Sequence, residues 1–68
     1  MIITLNGDRT DLPDGTSLTA LLTSAGLDPH RRGIALACNG EVVPRSRWAE
    51  QELIDGDVVE LLTATQGG

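Results

Sequence analysis

Thr16-Ser17-Leu18-Thr19-Ala20-Leu21-Leu22-Thr23-Ser24-Ala25-Gly26 is the stretch on which the architecture turns. Leu18, Leu21, Leu22 and Ala25 recur at i, i+3, i+4 and i+7, which is one apolar stripe of an amphipathic helix. Thr16 or Ser17 can cap it, its hydroxyl accepting from an otherwise unpaired backbone N–H. A capping-box acid is missing, because Thr19 and Ala20 stand three positions on. Gly26 suits the left-handed residue after the last turn, and Asp28-Pro29 blocks continuation. A single helix with one apolar stripe needs a sheet to cover it, so the flanking segments decide the fold.

Upstream, Ile2-Ile3-Thr4-Leu5 is β-branched and apolar and stops at Asn6-Gly7, a dipeptide that tolerates positive φ at both turn positions. Residues 9–12 read as the returning strand, ended by Pro13-Asp14-Gly15. Alternation places Met1, Ile3 and Leu5 on one face and Ile2 and Thr4 on the other. Downstream, His30-Arg31-Arg32-Gly33 is a polar connection, and the apolar run Ile34-Ala35-Leu36-Ala37-Cys38 ends at a second Asn-Gly pair, Asn39-Gly40. Glu41-Val42-Val43 is a short strand closed by Pro44, which cannot donate to a ladder. Residues 45–53 hold Trp48, Ala49 and Leu53, the apolar positions of a short helical turn packed under the sheet. Asp55-Gly56-Asp57 is a turn, Val58-Val59-Glu60-Leu61-Leu62 the last strand, and Thr63-Ala64-Thr65-Gln66-Gly67-Gly68 carries no core signal. The order predicts an α+β two-layer fold: a mixed sheet of four or five strands crossed by one main helix, with the last strand beside the first. That is the β-grasp arrangement, with a domain over residues 1–63 and a free tail over 64–68.

Composition narrows the function. The chain has 68 residues, ten acids against five bases and a formal net charge of −5. That balance argues against nucleic acid, which needs clustered cations to neutralise phosphates. No lysine is present, so neither a P-loop nor a Schiff-base nucleophile is available. One cysteine makes no internal disulfide, and no Cys/His cluster offers a metal cage. No apolar run is long enough for a membrane helix, and the first eight residues lack signal-peptide character. A cytoplasmic, reducing setting is expected. The acidic balance suits a partner that presents a basic surface.

No side chain stands out as a catalyst. His30 lies in a polar connection and reads as a solvated surface imidazole. Cys38 ends an aliphatic strand and reads as a buried small hydrophobe, with nothing nearby in sequence to activate its thiol. Asp55 and Asp57 flank a turn glycine, which explains both. Gly67-Gly68 differs: two residues without side chains carry the α-carboxylate after a run of small polar residues. Such a terminus can enter a narrow channel with no Cβ to block approach to its carbonyl. Near it, outward residues of the last strand, Val58 and Leu62, join Ala35 and Ala37 of its neighbour in an apolar patch leading to the tail.

Taken together, the Asn6-Gly7 ending, the Leu21-Leu22 helix, Ala35-Leu36-Ala37-Cys38 running into Asn39-Gly40-Glu41, then Val43-Pro44-Arg45, Trp48-Ala49, Leu53, Asp55-Gly56-Asp57 and Gly67-Gly68 resemble one family. These features, spanning the whole chain, are similar to the small sulfur carrier proteins of thiamine biosynthesis, the ThiS family, which are ubiquitin-like β-grasp domains. The resemblance implies a protein cosubstrate rather than an enzyme. An E1-like adenylyltransferase, using ATP and Mg²⁺, would adenylate the Gly68 carboxylate, with Gly67 as its small neighbour and Gln66 within the segment the partner grips. A cysteine-derived persulfide would supply sulfur, and the resulting thiocarboxylate would deliver it to thiazole synthase. No cofactor would reside on the carrier itself. Alternatives are the small subunit of molybdopterin synthase, whose tail usually contains proline before Gly-Gly, and a ubiquitin-like modifier or interaction module.

Overall fold

Both Asn-Gly pairs adopt the turn that their chemistry permits. In the computed structural model, which describes residues 1–64, β1 (Ile2–Leu5) returns as β2 (Asp8–Asp11) through Asn6 and Gly7 at φ 48° and 84°. After α1 (Leu18–Ser24), β3 (Ile34–Cys38) returns as β4 (Glu41–Val43) through Asn39 and Gly40 at φ 53° and 85°. Positive φ at both central positions matches the right-handed twist of the flanking strands, so each loop needs only two residues. The last strand, β5 (Val58–Thr63), fills the gap between the two hairpins.

The sheet order is β2-β1-β5-β3-β4. β5 runs parallel to β1, with Thr4 opposite Val58, and antiparallel to β3, with Ala35 opposite Leu62 and Ala37 opposite Glu60. Five strands and one helix in two layers are the β-grasp architecture. The inward face contributes Ile3, Ile34, Leu36, Val43 and Val59, which pack with Leu18, Leu21 and Leu22 of the helix. Burying each aliphatic side chain contributes about 1.5–3 kcal/mol. Both sheet edges are blunted: β2 carries Asp8, Arg9 and Asp11, and β4 is three residues long and stopped by Pro44.

The helix is capped by Ser17, whose hydroxyl accepts from the Ala20 N–H at 3.1 Å. Its end is a Schellman closure. The Leu27 N–H donates to the Leu22 carbonyl at 2.9 Å and the Gly26 N–H to that of Thr23 at 3.0 Å, with Gly26 at φ 83°. This corrects the expected stripe: the helix stops at Ser24, so Ala25 is the exposed C-cap and Leu27 packs against the core instead.

Residues 45–53 form a 3₁₀ turn, Arg45–Arg47, followed by a coil that serves the helix N-terminus. The Leu18 N–H donates to the Gln51 carbonyl at 3.0 Å and the Thr19 N–H to the Trp48 carbonyl at 3.2 Å. With Ser17 on Ala20, every first-turn donor of α1 has a partner. Trp48 and Leu53 are buried as expected, and the Trp48 indole N–H donates to the Val43 carbonyl at 2.8 Å. Ala49 is exposed, against expectation, because the 3₁₀ turn rotates it off the apolar face.

Candidate functional site

The strand that precedes the terminal glycines in sequence is paired on both sides and also receives side-chain hydrogen bonds from both hairpin turns. From one side, Asn6 Oδ1 accepts from the Leu61 N–H at 2.7 Å while its Nδ2 donates to the Leu61 carbonyl at 3.0 Å. From the other, Asn39 Oδ1 accepts from the Val58 N–H at 2.9 Å, and the Asn39 N–H donates to the Val58 carbonyl at 2.7 Å. Asn39 Nδ2 also donates to Asp57 Oδ1 at 2.9 Å. Asp57 is buried, and its second oxygen accepts from the Ile54 N–H at 2.9 Å, so the carboxylate is satisfied. The two hairpin turns therefore grip β5 at Leu61 and at Val58.

Beyond Thr63, Ala64 is the last described residue, and its backbone is held. The Ala64 N–H donates to the Gly33 carbonyl at 2.7 Å, and a Cβ on Gly33 would lie 3.3 Å from both the Ala64 Cβ and its carbonyl oxygen. Gly33 also sits at φ 80°, so both backbone conformation and close approach call for glycine. Gly33 closes a loop tied down by Arg45, whose guanidinium donates to the carbonyls of Pro29 and, at 2.7 Å, of Arg31. The same guanidinium lies 4.4 Å over the Trp48 ring.

The outward face of the sheet carries the apolar positions expected from alternation. Val58 and Leu62 are exposed on β5, Leu62 to 67%, with Ala35 exposed and Ala37 half-buried on β3. Ala35 pairs with Leu62, so these two form the part of the face nearest the end of β5. The structure adds Val42, 78% exposed and opposite Ala37. The register across Asn39-Gly40 was the signal that could have found it, since two-residue closure pairs Cys38 with Glu41 and hence Ala37 with Val42. Glu60 stands between Val58 and Leu62, so the apolar face has a carboxylate in its middle. Gln66, Gly67 and Gly68, expected to carry the chemistry and the grip, lie outside the described residues.

Cys38 is a free, buried thiol on the inner face. Burial pushes its pKa up from 9.0 and the nearby Asp57 carboxylate adds to the rise, with a Gln51 hydrogen bond acting the other way. A raised pKa leaves the thiol protonated at neutral pH, the opposite of an activated nucleophile. His30 is exposed, and its backbone N–H donates to Asp28 Oδ1 at 2.9 Å. Among the described residues, no group of three His, Cys, Asp or Glu side chains is placed to hold a metal ion. None of their helices is long and apolar enough to cross a membrane.

Five strands in the order β2-β1-β5-β3-β4 crossed by one helix define a β-grasp domain, whose central strand β5 runs on in sequence to Gly67 and Gly68. Residues 3–68 match the ThiS family model, a span that includes Gly67 and Gly68. The chain is 35% identical over 68 residues to the sulfur carrier protein ThiS of Escherichia coli K12, covering all of both chains. Its fold superposes on the crystal structure of the thiamine biosynthesis protein ThiS from Geobacter metallireducens with a TM-score of 0.82, at 28% identity and full coverage of both. The chain belongs to the ThiS family, the sulfur carriers of thiamine biosynthesis. It is also 32% identical over 68 residues to part of a thiazole synthase from Paramagnetospirillum magneticum, spanning all of this chain but 20% of that protein.

Proposed function

We propose that the carrier works through the Gly68 carboxylate. A carboxylate is a poor acyl donor until an oxygen becomes part of a good leaving group. An E1-like adenylyltransferase, using ATP and Mg²⁺, would join AMP to that oxygen and release pyrophosphate. The terminal sulfur of a cysteine-derived persulfide then attacks the acyl carbon and AMP departs. A thiol cleaves the resulting acyl disulfide and is itself oxidised to a disulfide, leaving the C-terminal thiocarboxylate. This group is anionic at neutral pH and more nucleophilic at sulfur than its oxygen parent, suited to sulfur delivery to thiazole synthase. The carrier holds no cofactor of its own and acts as cosubstrate. Its partners supply the positioning and the electrostatics.

The observation that carries this reading is the continuity of β5 with the Gly-Gly end inside the region matched to the family. The thiazole synthase containing a segment similar to this chain supports that enzyme as the acceptor. Val58, Leu62, Ala35 and Ala37, with Gln66 in the tail, form the docking surface in this reading. Incubation with adenylyltransferase, ATP and a persulfide donor, followed by intact mass measurement, tests it. An oxygen-to-sulfur mass gain that disappears on deleting Gly68 is expected. Conjugates to other proteins would instead mark a modifier, and capture by the large subunit of molybdopterin synthase the other pathway.

A further inference from the structure

Val43-Pro44-Arg45 followed by Trp48 is a motif to which sulfur carriage assigns no chemistry. We propose that Arg45 is a positioning residue that sets the direction in which the tail leaves the domain, acting through the loop of residues 29–33. Among the described residues, every hydrogen bond joining residues 28–32 to another part of the chain comes from the Arg45 guanidinium; the others in that loop close local turns on Asp28. One planar fork reaches two carbonyls, those of Pro29 and Arg31, and so fixes the orientation of the loop as well as its distance. The guanidinium is itself fixed from below by Trp48, which is buried and bonded to the Val43 carbonyl.

The loop delivers this order to the tail at one point, the Gly33 carbonyl that accepts from Ala64. Four residues follow Ala64, a reach of at most about 14 Å. Ala64 is therefore the origin from which a partner must place the Gly68 carbonyl, and positioning errors of about 1 Å can cost a hundredfold in rate. A line of contacts thus runs from the core indole through Arg45 and Gly33 to the root of the tail.

The activity part of this inference rests on the sulfur-carrier reading; the structural part stands apart from it. Arg45→Met keeps the apolar stem over Trp48 and removes every donor, whereas Arg45→Lys keeps a cation able to reach one carbonyl. Amide exchange measured by NMR on the full chain should quicken at Ala64 about tenfold in Arg45→Met, the scale of one charge-assisted hydrogen bond. Exchange at Leu36 and Val59 should stay unchanged, and Arg45→Lys should fall between. With adenylyltransferase and ATP, Arg45→Met should lower kcat for loading several-fold with KM nearly constant. Unchanged exchange at Ala64, equal acceleration at the core amides, or faster Ala64 exchange with an unaltered kcat would each overturn the role. A wild-type chain that fails to load would remove the carrier reading and leave the Ala64 exchange to decide the strap.

Discussion

The side-chain amide of Asn6 pairs with both backbone groups of Leu61, standing in for the residue that β1 no longer supplies past the turn. The backbone N–H of Asn6 donates to the Val59 carbonyl at 3.0 Å, so the turn residue continues the ladder with its backbone and then with its side chain. Asn6→Gly keeps positive φ and deletes only the amide. It should destabilise the domain by about 1–3 kcal/mol, two hydrogen bonds at ordinary net values. Urea unfolding measures this, and a midpoint equal to wild type would show that the clamp adds nothing.

Leu62 projects from β5 on the open face, opposite Ala35. Leu62→Asp removes no core contact, so thermal unfolding should shift by no more than the ~0.5 kcal/mol usual for a surface change. Loading by the adenylyltransferase should slow at least tenfold, since an apolar contact is replaced by a desolvated charge. Wild-type loading should also slow with rising salt if the acidic surface meets basic partner surfaces. An unaltered loading rate for Leu62→Asp would remove the patch from the docking surface.

A Cβ on Gly33 would approach Ala64 to 3.3 Å, tighter than ordinary contact, and Gly33 holds a left-handed conformation. Gly33→Ala should cost about 1–2 kcal/mol from backbone strain. It should also move the Ala64 amide resonance, because the new methyl must push the tail root away. A heteronuclear NMR spectrum in which Ala64 and its neighbours stay in place would refute the close approach.

Cys38 carries a pH dependence whose sign follows from its raised pKa. The thiol holds its proton more tightly in the folded than in the unfolded chain. Its contribution is therefore fully present below the unfolded value and is lost as pH climbs from about 9.0 through the folded pKa. Denaturation midpoints should fall across that alkaline window in wild type and fall less in Cys38→Ala. Alkylation of the native protein at pH 8 should be far slower than that of the unfolded chain.

Local chemistry was the legible part of this fold. Asn6-Gly7 and Asn39-Gly40 declared two hairpins through residues adjacent in sequence, and the Leu18, Leu21, Leu22 stripe declared the helix. The same asparagines conceal their second role, because Asn6 meets Leu61 across 55 positions and Asn39 meets Val58 across 19. Residues 45–53 were hard to read for a related reason. Their shape is set by carbonyls turned toward the N–H groups of Leu18 and Thr19, which no local pattern announces. Ala25 and Ala49 show the limit of counting apolar residues, since alanine is small enough to end a stripe on either side of the boundary. At the candidate site, alternation placed Val58, Leu62, Ala35 and Ala37 outward, while the strap from Arg45 to the loop before Gly33 depends on contacts between segments that sequence spacing does not connect.

β5 is bounded on both sides by other strands and leads toward the tail, which has a mechanical meaning. A partner that draws on the tail loads β5 along its own axis, across antiparallel bonds to β3 that lie perpendicular to the pull and slanted parallel bonds to β1. Those bonds must yield together in shear, whereas a pull across the strands would open them one at a time. With Asn6 and Asn39 as rivets on opposite flanks, the domain is a handle that can be tugged by its tail without unravelling.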